Sequence, residues 1–218
     1  MGKIHKQQKE INTQWWKDHN EKLDTFLKAD SSLEFVDAPL MGDVVVTPYE
    51  VNNQIMEERV NIINEFISPA PLKIIEVGGG YGNFARIYSK QHSHAEFTML
   101  DNVAMHKFSK VFLHSHSITA RFVNPDNFLN IKGKYDLLVA FGSLSETQDE
   151  YRERVLDHLL PQCRCVIFGE TDKEYSKWVR PYLNKYFNDS TFVVPSKERP
   201  TKPKCLRMHV YGGIEKNE

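Results

Sequence analysis

Several features that would classify a chain at once are scarce or absent in this sequence. Its three cysteines, Cys163, Cys165 and Cys205, form no C-x-x-C pair, so we expect free thiols in a reducing compartment. No stretch approaches the roughly 18 apolar residues that a membrane span needs. Residues 1–10 are rich in lysine and glutamine and lack the apolar centre of a secretory signal. These absences predict a cytoplasmic protein that does not contact a membrane.

An excess of charge of either sign is also missing. The 28 lysines and arginines nearly balance the 29 aspartates and glutamates, which gives a formal net charge of -1. Proteins that bind an extended nucleic acid usually carry a clear basic excess, so we do not expect such a partner. A length of 218 residues with 40% hydrophobic residues fits one α/β domain with an N-terminal extension.

The first third of the chain has helical patterns. Residues 11–28 place apolar side chains near one face at helical spacing, namely Trp16, Leu23, Phe26 and Leu27. A second helix is predicted from Thr47, which can cap it, with Pro48 at its first position and Glu50 completing a capping box. Its buried stripe is predicted to be Ile55, Ile62, Ile63, Phe66 and Ile67. The sequence Ser-Pro-Ala-Pro at 68–71 breaks this helix, so residues 1–70 are predicted to be a helical extension or lid.

From Leu72 onward, short apolar strands alternate with helices. Strands are predicted at 72–77, 96–100, 119–123, 135–141 and 164–169, with helices at 82–90, 103–113, 146–160 and around 173–187. Such alternation indicates a parallel sheet with crossover helices. Two last strands, near 190–194 and 205–211, are separated by too few residues for a crossover, so we predict an antiparallel pair. Residues 71–218 are therefore predicted to form one Rossmann-like α/β domain with a seven-stranded, mostly parallel sheet and a terminal antiparallel hairpin.

The first strand ends in a glycine-rich turn, Glu76-Val-Gly-Gly-Gly-Tyr-Gly82. Ligands bind at such turns, because glycine admits a close approach and positive φ angles. A P-loop is excluded because Gly-Lys-Ser/Thr is absent. A dinucleotide motif G-x-G-x-x-G/A fits only when counted from Gly80 to Ala85, which leaves two extra glycines before the turn. The pattern E-x-G-x-G-x-G matches this turn at every position. On the basis of this match, residues 72 to 211 resemble the class I S-adenosylmethionine-dependent methyltransferases.

That resemblance implies a set of cofactor contacts. Asp101 ends the second strand, where a carboxylate accepts hydrogen bonds from ribose hydroxyls, although NAD sites share this feature. Asp126 follows the third strand, where family members contact the adenine amino group. The alternative is that Asn-Pro-Asp-Asn only forms a turn, for which these residue types are typical. The loop after the fourth strand is expected at the methionine part of the cofactor. The predicted cofactor-binding residues are Glu76, Gly78, Gly79, Gly80, Tyr81, Gly82, Asp101, Asn102, Asp126, Asn127, Phe141, Gly142 and Ser143.

The candidates for catalysis are carboxylates after the fourth and fifth strands. Transfer of a methyl group to a hydroxyl needs both partners positioned and a proton removed. Glu146 and Glu170 lie at the predicted substrate end and are our candidate catalytic residues. With Asp172 they also offer the oxygen ligands that Mg²⁺ prefers, which would add a metal to the cofactor. The alternative is structural, because Ser145 and Gln148 can form a capping box and Glu146 would favour the helix dipole.

Histidines offer a different base. His19, beside two tryptophans on the first predicted helix, is the alternative base if that helix is a lid. His106 is predicted to lie on the surface of the helix after Asp101. His114 and His116 precede the third strand, at the wrong end of the sheet for chemistry.

The loop Gly142-Ser-Leu-Ser-Glu146 is most similar to sugar O-methyltransferases within this family. It lacks the N-P-P-Y or D-P-P-Y signature that would indicate methylation of an amino nitrogen. The sequence therefore predicts an O-methyltransferase for a glycan or another small-molecule hydroxyl, and it leaves a homo-oligomer open. The alternatives are methylation of protein or of another small molecule, an NAD-dependent oxidoreductase, and a non-catalytic subunit, for which a broken glycine motif would be expected.

Overall fold

The computed structural model describes residues 49–144, 147–170, 178–187, 191–195 and 207–211. The predicted helix at 11–28 and the capping residues Thr47 and Pro48 lie outside these ranges. No helix within them is both long and apolar enough to cross a membrane.

One sheet in the order β3-β2-β1-β4-β5-β7-β6 forms the centre of the fold. Its strands are β1 Lys73–Val77, β2 Glu96–Leu100, β3 Ala120–Val123, β4 Tyr135–Phe141, β5 Cys163–Glu170, β6 Thr191–Pro195 and β7 Arg207–Tyr211. The strands β1 to β5 pair in parallel, which confirms the predicted α/β class and the parallel sheet. The strand β7 runs antiparallel to both β5 and β6.

Helices connect and cover the strands. They are α1 Tyr49–Phe66, α2 Asn83–Gln91, α3 Val103–Ser115, α4 Asp149–Leu159 and α5 Arg180–Tyr186, with 3₁₀ turns at Pro125–Asn130 and Leu160–Gln162. The strand order reverses at β1, because β2 and β4 lie on its two sides. In open α/β sheets this switch point leaves a crevice at the carboxyl ends of the strands, and ligands bind there.

The core consists of two layers, one on each face of the sheet. Neighbouring residues of β1 alternate between them, with Ile74 in the layer of α1, α2 and α3 and Ile75 in the layer of α4 and α5. The alternation follows from the two-residue repeat of a strand, and burial of both faces explains why the strands read as continuous apolar runs. On β5, Cys163 and Cys165 are buried free thiols, as predicted.

The helix α1 belongs to the first of these layers and packs against α2. Ile62, Ile63 and Ile67 of its predicted stripe are buried, whereas Ile55 and Phe66 are half-buried. The described end of the predicted extension therefore contributes to the core of the sheet domain.

The start of α4 differs from the prediction. The helix begins at Asp149 with Gln148 as its N-cap, and the Gln148 side chain makes no capping hydrogen bond. Thr147 instead closes a turn, since its amide and its hydroxyl both donate to the carbonyl oxygen of Leu144, at 3.2 and 2.8 Å. The helix therefore begins three residues after the predicted start at 146, with Gln148 as its N-cap, whereas the alternative of a capping box needed Gln148 inside the first turn; Ser145 lies outside the described residues.

A substitution of Phe84 tests how much the core layer beneath α2 contributes to stability. The Phe84 ring is 1% exposed and packs against the rings of Tyr88, Phe97 and Phe141 at centroid distances of 5.7, 6.4 and 5.6 Å. Because the substitution leaves a cavity that such a packed site cannot fill, Phe84→Ala should lower the free energy of unfolding by about 3–5 kcal/mol in urea titration. Val111→Ala, on an exposed side chain of α3, should change it by less than about 0.5 kcal/mol. Equal effects would contradict this assignment of the core.

Candidate functional site

The glycine turn joins β1 to α2 at the switch point of the sheet. The Gly78 amide donates to the carbonyl oxygen of Leu100 at 2.9 Å, which fixes the turn to the end of β2. Gly82 is the N-cap of α2 with φ +89°, a left-handed conformation that disfavours any side chain. The turn therefore places backbone amides and a helix N-terminus at the crevice, where a ligand is expected.

Gly78 also permits the loop after β4 to approach the turn. A Cβ atom at this position would lie 2.1 Å from the Cβ atom of Ser143. The Ser143 hydroxyl donates to the carbonyl oxygen of Val77 at 2.6 Å and so ties the two loops together. The sequence analysis attributed the glycine to the approach of a ligand, whereas the structure shows that it is already required by Ser143.

A buried carboxylate lies beneath the turn. Glu76 is 2% exposed, and a Cβ atom on Gly79 would lie 2.5 Å from its carboxyl carbon, so the glycine makes room for this group. Its Oε2 atom is buried without a hydrogen-bond partner in the described part of the chain. Burial and, to a smaller extent, the charge of Asp101 raise the pKa of Glu76 to about 8, against the lowering effect of the Arg59 guanidinium.

Asp101 supports the turn from the end of β2. Its Oδ2 atom accepts a hydrogen bond from the Gly80 amide at 3.0 Å, and its Oδ1 atom accepts one from the Asn102 amide at 2.7 Å. Burial raises the pKa of Asp101 to about 6, against the lowering effect of these two amides. The Asn102 side chain caps α3 by accepting from the Met105 amide at 3.0 Å. Asp101 thus holds the glycine turn, and its ribose contact stays a prediction.

Buried polar residues of α3 support this edge from behind. The Ser109 hydroxyl is buried and lies 2.8 Å from the carbonyl oxygen of Gly80. His106 is 4% exposed, and its Nδ1 atom lies 3.0 Å from Oδ1 of Asn124 in the loop after β3. Its burial lowers the pKa of the imidazole. The predicted surface position of His106 was therefore wrong, because the helix turns this side chain inward onto a polar partner that the sequence does not reveal.

The residues after β3 lie in the 3₁₀ turn Pro125–Asn130, and the side chains of Asp126 and Asn127 are exposed there. The half-buried Tyr151 of α4 faces this turn, and its hydroxyl donates to the carbonyl oxygen of Pro125 at 3.3 Å. Burial and, to a smaller extent, the charges of Asp126 and Asp101 raise the pKa of Tyr151 to about 12. Both aspartates therefore act electrostatically on this one hydroxyl.

The helix α1 reaches the site through two side chains. Arg59 is buried with its guanidinium carbon 4.1 Å from the centroid of the Phe141 ring, and its charge also acts on Glu76. Asn53 accepts a hydrogen bond at 3.1 Å from the side chain of Asn83, the residue that follows the glycine turn. The N-terminal extension is thus in contact with both loops of the crevice.

The remaining predicted site residues divide into two groups. The ring of Tyr81 is buried edge-on against Phe108 and Phe112, at centroid distances of 6.2 and 4.9 Å, so only its backbone remains for a ligand. Glu146, Asp172 and His19 lie outside the described residues, and of Glu170 only the backbone is described, at the end of β5. Among the described side chains no group of three or more possible ligands could hold a metal ion. The catalytic and Mg²⁺ assignments remain predictions.

The sequence did not identify three residues of the site, namely Arg59, Ser109 and Tyr151. Each lies within a helix whose pattern indicates only an amphipathic surface, and each contacts or acts on residues more than 15 positions away. The sequence contained one signal for two of these residues, namely their position in the chain. Ser109 and Tyr151 lie on the helices that follow β2 and β4, and these helices start near the crevice.

The crevice fits a cationic nucleoside better than a dinucleotide. The Asp101 carboxylate and the Oε2 atom of Glu76, which has no hydrogen-bond partner in the described part of the chain, are acceptors suited to hydroxyl and ammonium groups, and the backbone amides of the glycine turn are donors. A pyrophosphate on this turn would lie against the Asp101 carboxylate, whose negative charge would oppose it.

Comparison with known proteins identifies the fold. No family model and no curated protein matches the sequence. The methyltransferase domain of bacterial CtHen1 superposes with a TM-score of 0.61 at 16% identity, covering 74% of this chain and 98% of that one. Magnesium protoporphyrin IX methyltransferase from Synechocystis, solved with bound S-adenosylmethionine, gives 0.57 at 14% identity, covering 93% and 94%.

A protein from Nostoc punctiforme that is assigned as an O-methyltransferase gives a TM-score of 0.59 at 12% identity and covers 74% of this chain. The chain spans 56% of the length of that protein. At such identities the likeness establishes the Rossmann-like methyltransferase fold.

The raised pKa of Glu76 predicts how stability depends on pH. Between its ordinary value of 4.5 and about 8, the folded protein holds a proton that the unfolded chain releases. The free energy of unfolding should therefore fall as pH rises from 6 to 8, by up to about 1.4 kcal/mol per pH unit. Asp101, raised to about 6, contributes mainly below this window.

Urea titrations of the ligand-free protein at several pH values would measure this dependence. Glu76→Gln keeps the shape and stays neutral, so its stability should be nearly independent of pH in the same window and exceed that of the wild type above pH 8. Glu57→Gln, on an exposed side chain of α1, should retain the wild-type profile. A wild-type profile in Glu76→Gln would disprove the buried, proton-holding state.

Proposed function

We propose that this protein is an S-adenosylmethionine-dependent O-methyltransferase that acts on a small-molecule hydroxyl. The observation that carries the proposal is the pair of carboxylates at the glycine turn, Glu76 beneath Gly79 and Asp101 on the Gly80 amide. S-adenosylmethionine carries a sulfonium and an ammonium group, which attract the Asp101 carboxylate, ionised at neutral pH, and would favour release of the proton that Glu76 holds in the ligand-free protein. The fold of the solved neighbours supports the same choice.

The cofactor would be held by residues that the structure brings to one edge of the sheet. Asp101 has lone pairs left to accept from ribose hydroxyls after its two amide bonds, and we propose the exposed Asp126 as the contact of the adenine amino group. Ser143 and Gly142 form the loop that faces the methionine part. When bound, the cofactor supplies an electrophilic methyl group, and the protein must align the acceptor with it and remove a proton.

Oxygen as the acceptor atom is supported by the loop after β4 and by one of the solved neighbours. The loop Gly142-Ser-Leu-Ser-Glu146 has no N-P-P-Y pattern, and the Nostoc protein is assigned as an O-methyltransferase. We further propose a sugar or glycan hydroxyl on the similarity of this loop, and Glu146 or Glu170 as the base. A free small-molecule acceptor also fits the formal net charge of -1, which does not favour an extended nucleic acid.

The cofactor choice is tested by isothermal titration calorimetry with S-adenosylhomocysteine and with NAD. The first should bind and the second should not. Asp101→Ala should weaken S-adenosylhomocysteine by about 1.5–3 kcal/mol, because it removes charge-assisted hydrogen bonds. Asp101→Asn keeps an acceptor for the Gly80 amide and should lose less. Binding of NAD alone would overturn the proposed function, and full affinity in Asp101→Ala would remove Asp101 from the ribose site.

The base and the metal are separated by a second experiment, with a sugar acceptor found by screening. If Glu146 removes the proton, Glu146→Gln should lower turnover at least about 100-fold, the range of a general base, and leave S-adenosylhomocysteine affinity unchanged. EDTA should then have no effect. If Glu146, Glu170 and Asp172 hold Mg²⁺, EDTA should abolish turnover and added Mg²⁺ should restore it. Full activity in Glu146→Gln with EDTA present would exclude both roles.

A further inference from the structure

A second cavity lies at the opposite edge of the sheet from the glycine turn. It has a volume of about 980 Å³, and its floor includes the first residues of four parallel strands, Lys73, Glu96, Ala120 and Tyr135. The glycine turn is at the other end of these strands, which for a five-residue strand means a separation of roughly 16 Å. The cavity is therefore not a part of the proposed cofactor site.

Positive side chains surround this cavity, which we call the amino-edge groove. Five of them are exposed, namely Lys73, Lys90, Arg121, Lys132 and Lys134, and a sixth, Arg86, is buried. Within the described part of the chain none of the four lysines forms an ion pair. Among the lining residues only Glu96 carries a carboxylate. Since the whole chain has a formal net charge of -1, the groove is a local concentration of positive charge.

Two features oppose an anion here and have to be weighed against the cations. The helices α2 and α3 end at Gln91 and Ser115 beside the groove, and each carboxyl terminus contributes roughly half a negative charge. Arg121 also donates to the carbonyl oxygen of Asn130 at 2.7 Å, which uses a part of its hydrogen-bonding capacity but leaves its charge. With Glu96, these effects offset about two of the five exposed positive charges, so the groove remains clearly positive.

Hydrogen-bond donors supplement the charges. The hydroxyl groups of Ser93, Ser117 and Thr119 line the same cavity and can donate to an anion, as lysine ammonium groups do. Lys132 and Lys134 flank the exposed Gly133, where an added Cβ atom would meet no other part of the described structure within 4 Å, so the turn between the lysines is open to a ligand.

We propose that the amino-edge groove binds a compact polyanion, a small molecule that carries two or more phosphate groups. Its volume lies at the upper end of the range for small-molecule sites, roughly 300–1,000 Å³. Unpaired lysines around a concavity repel one another, and a phosphate-bearing ligand would neutralise them while accepting from the hydroxyls. This site is independent of the proposed cofactor site and of the reaction assigned to it.

Calorimetry of the full chain with inorganic tripolyphosphate at low salt tests the proposal. We expect one molecule bound per chain and an affinity that falls as salt increases, because exposed charges are screened. Lys132→Gln combined with Lys134→Gln should weaken binding at least about tenfold, since two charge-assisted contacts are lost. Both positions are exposed in a turn, and a thermal melt checks that the variant is folded.

A matched control separates the groove from general charge effects. Lys110→Gln combined with Lys185→Gln removes the same charge from exposed lysines outside the groove and should leave tripolyphosphate affinity within about twofold. Affinity for S-adenosylhomocysteine should be unchanged in both double variants, so failure here is distinguishable from failure of the proposed cofactor site. Equal losses in both variants, no binding of tripolyphosphate, or binding only of a long polyanion such as RNA would overturn the proposal.

Discussion

Burial of the Glu76 carboxylate beneath the glycine turn is the constraint on which the rest of the site depends. A carboxylate removed from water is costly unless it is paired or protonated, and here burial raises its pKa to about 8. In its present position the carboxyl group would overlap a Cβ atom at residue 79, so glycine there makes room for it. A group kept at such a cost, with one oxygen lacking a partner in the described part of the chain, is characteristic of functional sites, where perturbed pKa values concentrate.

The same carboxylate connects the N-terminal helix to the sheet domain. Arg59 acts on Glu76 and lies on the ring of Phe141, while Val60 and Ile63 of the same helix share a core layer with Ile74 of β1. A movement of α1 would therefore change the charge balance at the turn as well as the packing. For this reason the end of the predicted extension is better understood as a wall of the crevice than as a separate segment.

The sheet was predictable because its determinants are local, whereas the support of the site was not. Strands buried on both faces appear as apolar runs, and the turn between β1 and α2 is marked by four glycines. His106 looked like a surface residue because its partner, Asn124, is 18 positions away. The predicted start of α4 was too early because the Thr147 hydroxyl donates to the carbonyl oxygen of Leu144 and forms a turn there. The spacing of apolar residues along the helix does not reveal this hydrogen bond.

Net charge is an incomplete guide to partners because the sheet separates the charges spatially. At the carboxyl edge, Glu76 and Asp101 lie beside the glycine turn, and at the amino edge lysines surround a cavity. A value of -1 for the whole chain averages over these two regions. It argues against a long polyanion, which would extend beyond the groove and meet the acidic remainder of the surface. It does not argue against a compact anion, because the potential that such a ligand experiences is set by charges within about a Debye length, roughly 8–10 Å.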